Sequence, residues 1–425
     1  MPGDEARLAT YLSASPRILI LGAGFAGTNA ARQLDRRLRG TGAHVLLVDR
    51  GNASLFTPLL WTVADGRTAP SDVMVPIRDF QGRFSFVHAD VEEIDIAGRT
   101  VRTSVGSYPY DILVVALGSI TTLPPVPGIH EHALGFRYPV DAIRLRNRLI
   151  QAVEVARHTA DAAARSALLS FAVVGGGDTG VELAATIHDY LHAALFDRYP
   201  ELKGEQVRII VLERAERLTP MERPDLSSHA QQMLERSGIE VHTGTTVEGI
   251  TADGVQTSAG DFPARTVFWA AGISAPPVVR ALPVEHAPNG AVIVDTTLRV
   301  PGHPEIIVVG DSAWIYDAEG KPVPPTAQAA RVEGIYVAKS IANSLRGGPA
   351  RPFTYRSLGH LALLGLHTGL GEVGPIEVRG FPAWLLWHAY YLYRIPTWGN
   401  RVRIVADLIL AAIFGREAAQ VPLNE

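Results

Sequence analysis

Ile18-Leu19-Ile20-Leu21-Gly22-Ala23-Gly24-Phe25-Ala26-Gly27 is a short apolar run that passes directly into G-x-G-x-x-G. Ala30, Ala31, Leu34 and Leu38 then recur at helical spacing. Strand, glycine turn, helix is the order in which this motif binds a dinucleotide. Gly22 permits the tight turn, Gly24 admits a pyrophosphate to the backbone, and Gly27 lets helix and strand pack closely. The unpaired N–H groups at the helix start turn partial positive charge toward the phosphates. A second apolar run, Val45-Leu46-Leu47-Val48-Asp49, ends on an acid at the distance where a carboxylate accepts hydrogen bonds from an adenosine ribose. The alternative is a tight strand–helix turn without a ligand.

The pattern recurs. Phe171-Ala172-Val173-Val174 leads into Gly175-Gly176-Gly177-Asp178-Thr179-Gly180, a helix is expected from Val181 to about Tyr199, and the run Arg208–Glu213 again ends on an acid. The gap from Gly180 to Glu213 exceeds the usual ~20 residues, and the long helix accounts for the excess. Two copies imply two dinucleotides, or one half-buried cofactor and one exchangeable one. Asp111–Gly118, Thr266–Gly272 and Ile306–Asp311 read as further strands that end at glycine, and ligands gather at the carboxyl ends of such strands. Asp311, in Gly-Asp-Ser-Ala, suits a ligand hydroxyl; capping a helix over 312–315 is the alternative. Residues 84–95 and 100–105 read as a hairpin-like pair. A Pro-rich joint (Pro124, Pro125, Pro127, Gly128) precedes a helix expected from Asp141 to about His158. Residues 55–64 are apolar enough to be core or a loop lying against a cofactor ring.

The chain has 425 residues, 47% hydrophobic and 19% charged, which is globular composition sufficient for two or three domains. A net charge of −4 gives no basic field for nucleic acid. Residues 1–15 show no signal-peptide pattern and read as a loose tail. Cysteine is absent, which excludes disulfides, thiolate metal sites, iron–sulfur clusters and cysteine nucleophiles. Redox chemistry therefore needs an organic cofactor, and a reducing compartment fits. His188 and His192 stand four apart on a helix, but residue 189 is Asp where H-E-x-x-H needs Glu, and no third ligand is evident, so no metal is assigned.

The C-terminal region differs in kind. Seven aromatics lie between Phe381 and Trp398, three of them among the chain's six Trp. Arg401–Gly415 reads as a helix with Val402, Val405, Ile409, Ala412 and Ile413 at helical spacing. Its apolar length is too short to span a bilayer. Trp and Tyr flanked by Arg suit a membrane interface; a homodimer interface or a packed helix pair is the alternative.

Two glycine motifs, a late Gly-Asp and no Cys describe a two-dinucleotide flavoprotein without a redox disulfide. From about residue 17 to 415 the chain resembles the type II NADH dehydrogenases, the single-subunit, non-pumping flavin NADH:quinone oxidoreductases. The likeness rests on Leu55–Gly66, Gly175–Glu182, Val267–Gly272, Gly310–Ala313, Ala327-Gln328-x-Ala330 and Gly380–Trp387. It implies FAD on the first unit, with Gly22, Gly24, Phe25, Ala26, Gly27, Asp49, Arg50, Gly118, Asp311, Ala327 and Gln328. It implies NADH on the second, with Gly175, Gly177, Thr179, Gly180, Glu182, Glu213, Ala271 and Gly272. Glu213 would favour NADH over NADPH by binding the 2′-hydroxyl, while Arg214 and Arg217 nearby would soften that choice. Glu182 is expected as a proton-route residue, or else as a carboxylate favoured by the helix dipole. Gln328, the 327–334 helix and the C-terminal segment are expected to build a site for a membrane quinone. Two positions depart from the family pattern: Val332 replaces a second Gln, and Asp178 stands where Pro is common.

The expected fold is α/β, two Rossmann-like dinucleotide-binding domains plus a C-terminal amphipathic segment. The FAD-binding domain would comprise 1–125 and 291–350, the NADH-binding domain 126–290, and the membrane-associating segment 351–425. The protein would sit peripherally on the cytoplasmic face of the cell membrane. The alternative activity is a soluble NAD(P)H-dependent flavin reductase serving a small redox protein; the aromatic tail argues against it and Val332 for it.

Overall fold

A computed structural model describes residues 4–202, 204–220, 223–374 and 376–423. The chain forms two compact units, one of Met1–Leu55, Met74–Ile120 and Ile273–Ser357, the other of Phe56–Val73, Thr121–Gly272 and Leu358–Glu425.

The first unit is built on a six-stranded sheet in the order Arg299–Val300, His303–Val308, Ile112–Val115, Arg17–Leu21, His44–Asp49, Ser85–His88. Only the Arg299–Val300 edge strand is antiparallel to its neighbour. Ile18–Leu21, Leu46–Val48 and Leu113–Val115 are fully buried, as expected of parallel strands covered on both faces. Helices Phe25–Arg37 and Ala327–Ser344 pack against each other so closely that a Cβ on Gly334 would lie 2.2 Å from the Ala26 carbonyl oxygen.

The second unit repeats the plan. Its parallel sheet runs Ala133–Gly135, Thr266–Trp269, Ser170–Val174, Arg208–Leu212, Glu240–His242. The repeat extends to single hydrogen bonds. Gly22 N–H donates to Val48 O at 2.8 Å, and Gly175 N–H donates to Leu212 O at 2.8 Å. Both glycines lie at positive φ, +99° and +112°. A Cβ on Gly27 would sit 1.8 Å from the Gly22 carbonyl oxygen, and one on Gly180 would sit 1.7 Å from that of Gly175. Helices Pro139–His158 and Asp178–Tyr190, a three-stranded antiparallel sheet (Gly359–Gly365, Thr368–Val373, Ile376–Gly380) and helices Phe381–Arg394 and Trp398–Phe414 complete this unit.

Several sequence expectations change. The N-terminal region is a helix over Asp4–Ser13, not a loose tail; Tyr11 is fully buried and its hydroxyl donates to Pro109 O at 2.6 Å. Residues 84–95 divide: Ser85–His88 joins the parallel sheet, and Val91–Asp95 pairs antiparallel with Thr100–Thr103. The helix after the second glycine turn ends at Tyr190, widens to a π-turn over Leu191–Leu195 and a 3₁₀ turn over Phe196–Arg198, and stops before Pro200, which disfavours helix in the residue ahead of it. Of residues 55–64, Leu55 ends a short strand and Thr57–Ala64 forms helical turns with Leu59, Leu60, Trp61, Val63 and Ala64 buried. Against expected changes of domain at 125/126 and 290/291, the compact units change at 120/121 and 272/273. Residues 56–73 and 358–425 group with the second unit because they pack on helices Pro139–His158 and Asp178–Tyr190.

In helix Trp398–Phe414 the polar side faces inward. Asn400 and Ile404 are buried, with Asn400 donating to Asp72 O at 2.9 Å and Asp407 accepting from Ala69 N–H at 3.0 Å. Trp398, Val402, Val405, Ile409, Ile413 and Phe414 face outward, Phe414 at 78% exposure. No helix among the described residues is long and apolar enough to cross a membrane.

The crossing of strand and helix at Gly27 yields a direct test. Gly27→Ala should destabilise the first unit by about 1–3 kcal/mol through overpacking, read as a lowered urea midpoint with FAD present. An unchanged midpoint would contradict the contact.

Candidate active site

In the first unit the helix begins at Phe25 with Gly24 as its cap, and no side chain caps its N–H groups. A Cβ built on Gly24 meets nothing within 4 Å. Gly177 is the same: extended, uncapped by a side chain, with nothing within 4 Å of a Cβ. Both helix starts thus combine exposed donors, the positive end of the dipole and an open backbone, which fits a diphosphate at each. Phe25 and Ala26 form the first helical turn of one unit, and Thr179 lies in that of the other.

The two strand-end acids bond to their own glycine turns. Asp49 accepts from Ala23 N–H at 2.5 Å and Gly51 N–H at 2.7 Å. Glu213 accepts from Gly176 N–H at 2.5 Å and Ala215 N–H at 2.7 Å. Burial raises the Asp49 carboxyl above its ordinary value. Each carboxylate has about four acceptor positions, so capacity for a ribose hydroxyl is left. Next to Asp49, the Arg50 carbonyl meets His88 Nε2 at 2.8 Å.

Asp311 is fixed from several sides. Ser119 Oγ–H donates to Asp311 Oδ2 at 2.6 Å, and Ser312 Oγ–H donates to Gly118 O at 2.8 Å. Gly118 and Gly310 lie at φ +69° and +64°. Glu333, buried, accepts from Gly310 N–H at 2.5 Å, and burial pushes its carboxyl up to about 7. The capping alternative for Asp311 falls away, because Ala313–Trp314 is strand. Thr326 caps the helix that starts at Ala327, accepting from Ala329 N–H at 3.2 Å. Gln328, in the first turn, accepts at Oε1 from the Tyr355 hydroxyl at 3.2 Å. Val332, one turn on, packs partly buried against the core.

In the second unit Ala271 and Gly272 follow strand Thr266–Trp269; the Trp269 indole N–H donates to Ala271 O at 2.7 Å, and Gly272 lies at φ +78°. Glu182 accepts from Leu363 N–H at 3.0 Å, and Trp61 lies close enough to lower its carboxyl. Burial pushes its carboxyl up to about 8, against the lowering effect of these contacts. Asp178, one turn earlier, meets His360 Nε2 at 3.2 Å. Trp61 stacks on Phe136 with ring centroids 4.4 Å apart. The sequence reading passed over Trp61, Ser119, Glu333, Tyr355 and His360. Trp61 lies within the Leu55–Gly66 motif, but its partners are distant in sequence.

Two glycine turns, each with an open helix start and a strand-end acid, define a protein that holds two dinucleotides. The family described as pyridine nucleotide-disulphide oxidoreductase matches residues 16–334. The chain is 33% identical over 403 residues to the type II NADH:quinone oxidoreductase Ndh of Mycobacterium tuberculosis, covering 90% of this chain and 85% of that one. It is 33% identical over 404 residues to the demethylphylloquinone reductase NdbB of Synechocystis, covering 92% and 95%. The NDH2 structure from Plasmodium falciparum in complex with NADH superposes with a TM-score of 0.85 at 20% identity, covering 95% of this chain and 99% of that one. Within the larger family, the chain belongs to the type II NADH:quinone oxidoreductases. Having no cysteine, it lacks the disulfide from which the larger family takes its name.

The open glycines separate binding from stability. Gly24→Ala should leave the unfolding midpoint nearly unchanged yet weaken FAD retention at least about tenfold, the loss of roughly 1.4 kcal/mol of phosphate contact. Gly177→Ala should keep FAD bound and raise the Kd for NADH by a similar factor. Fluorescence titration of each variant checks both.

Proposed function

We propose that this protein is an FAD-dependent NADH:quinone oxidoreductase held at the cytoplasmic face of the cell membrane. The observation that carries this reading is the doubled glycine turn in a chain without cysteine. Bound FAD supplies the two-electron carrier that takes hydride from NADH and passes electrons to quinone. The protein's own residues bind, orient and move protons. Gly22, Gly24, Gly27, Asp49, Gly118 and Asp311 hold FAD. Gly175, Gly177, Gly180, Glu213 and Gly272 hold NADH. The Gln328 amide, oriented by Tyr355, offers a donor and an acceptor to a quinone carbonyl or a flavin edge.

The net reaction, NADH + H⁺ + quinone → NAD⁺ + quinol, consumes one proton from solution. Glu182 is suited to hold it: with its carboxyl near 8 it is mostly protonated at neutral pH, and Leu363 N–H fixes one of its oxygens. The outward apolar side of helix Trp398–Phe414 supports attachment to a lipid surface, where a quinone is dissolved. Val332, apolar where a second Gln would offer a hydrogen bond, supports the alternative of a soluble reductase with another acceptor.

Three measurements test the reading. The purified protein should be yellow, release FAD on denaturation and oxidise NADH rapidly only when a quinone is added; a colourless protein that cannot be reconstituted would overturn it. Quinone turnover should decline as pH rises through about 8, since the protonated Glu182 carboxyl is the form that donates, and Glu182→Gln should remove this limb while flavin reduction in rapid mixing persists. Replacing Trp398, Ile409 and Ile413 with Ser removes about 3 kcal/mol of apolar transfer at roughly 1 kcal/mol each, on the order of a hundredfold in vesicle partition. Loss of self-association with unchanged partition would instead assign that face to a homodimer.

A further inference from the structure

Beyond helix Trp398–Phe414 the chain turns at Gly415, φ +83°, and runs back across the second unit. Arg416 is buried, and its guanidinium meets Asp65 Oδ2 at 3.4 Å. Asp65 is also buried and bound by Arg67 Nε at 2.6 Å. Glu417 bonds the buried Arg146 at 2.9 Å, its N–H donates to Gly66 O at 3.1 Å, and its carbonyl accepts from the Tyr190 hydroxyl at 2.8 Å. The Asn147 amide then pairs with both main-chain groups of Val421, at 2.7 and 2.9 Å. Gly66 lies at φ +72°, and a Cβ there would stand 2.6 Å from Glu417 O.

These contacts converge on one turn. Asp65 N–H closes the short helix Leu60–Ala64 by donating to Trp61 O at 3.0 Å, and Gly66 N–H donates to Val63 O at 3.2 Å. That helix packs against helix Asp178–Tyr190, and Trp61 on it lies close enough to Glu182 to lower its carboxyl. Surface retention does not require buried Arg416 and Arg146. A charge in such a place needs its partner: Arg416 finds Asp65 on the turn, and Arg146 finds Glu417, whose N–H is bonded to Gly66 of the same turn.

We propose that residues 416–421 are a strap that fixes the 60–66 turn, making Arg416 and Glu417 positioning residues for Trp61 and, through it, for Glu182. Its effect on turnover rests on the reading of Glu182 given above; its effect on Trp61 does not. Removing the strap lets the indole leave the carboxylate, and loss of its lowering influence raises the pH at which Glu182 gives up its proton.

The test uses the full chain with Glu417→Ala, Glu417→Gln and Asn147→Ala, the last cutting the strap without stranding a charge. With 5-fluorotryptophan label, the Trp61 resonance is assigned by its loss in Trp61→Phe. It should shift in Glu417→Ala and Asn147→Ala and less in Glu417→Gln. With a short-chain soluble quinone, the KM for quinone should rise about threefold to tenfold, as expected of a displaced site residue. The alkaline limb of turnover should move up in pH, while flavin reduction by NADH stays within about twofold. Vesicle partition should not change. An unmoved Trp61 resonance in a folded, yellow variant overturns the strap. A moved resonance with unaltered quinone kinetics overturns its role in the site. If the limb survives in Glu182→Gln, the Glu182 reading fails by itself, and the fluorine spectrum still decides the strap.

Discussion

The approach of one main chain to another at Gly27 and at Gly180 is the constraint on which both units depend. In each, the first helical turn rests on the carbonyl of the glycine that ended the strand, with no room for a methyl group. That contact sets the angle at which the helix leaves the sheet and so where its first N–H groups point. A diphosphate there would meet main-chain donors and a dipole whose direction is fixed by packing several residues away. The middle glycine of each motif has a different task. It fills no contact and leaves the backbone bare.

The same economy governs the acids. Asp49 and Glu213, proposed above to bind a ribose, each bond main-chain N–H groups of their own turn. A carboxylate that already orders the loop is pre-organised for a sugar hydroxyl, because its rotamer is settled before ligand arrives. Around Asp311, Ser119 from a loop and Glu333 from a helix do comparable work.

Where local pattern and long-range contact coincide, the sequence was readable. Ile18–Leu21 with Gly22 and Phe171–Val174 with Gly175 carry strand, turn and helix start within a few residues, and the sheets follow from them. Asp49 and Glu213 were visible because a strand of fixed length ends on them. The rest turns on partners far apart in the chain. Tyr11 is buried by Pro109, Gln328 meets Tyr355, and Trp61 reaches Glu182. No periodicity encodes such pairs. The apolar stripe of Val402, Val405 and Ile409 was legible as a stripe, yet which way it faces is decided by Asn400 and Asp407 bonding the 69–72 main chain.

That inward polar side has a thermodynamic consequence. A peptide that becomes helical only on a lipid surface gains the enthalpy of its new hydrogen bonds and loses chain entropy as it lands. Helix Trp398–Phe414 has its backbone bonds made and its rotation about its own axis fixed by Asn400 and Asp407 before any contact with lipid. Adsorption to lipid, as proposed above, would therefore be the transfer of a rigid apolar surface. Its calorimetric signature would be a negative heat-capacity change scaled to the covered area, with little enthalpy of helix formation and no gain in far-ultraviolet ellipticity.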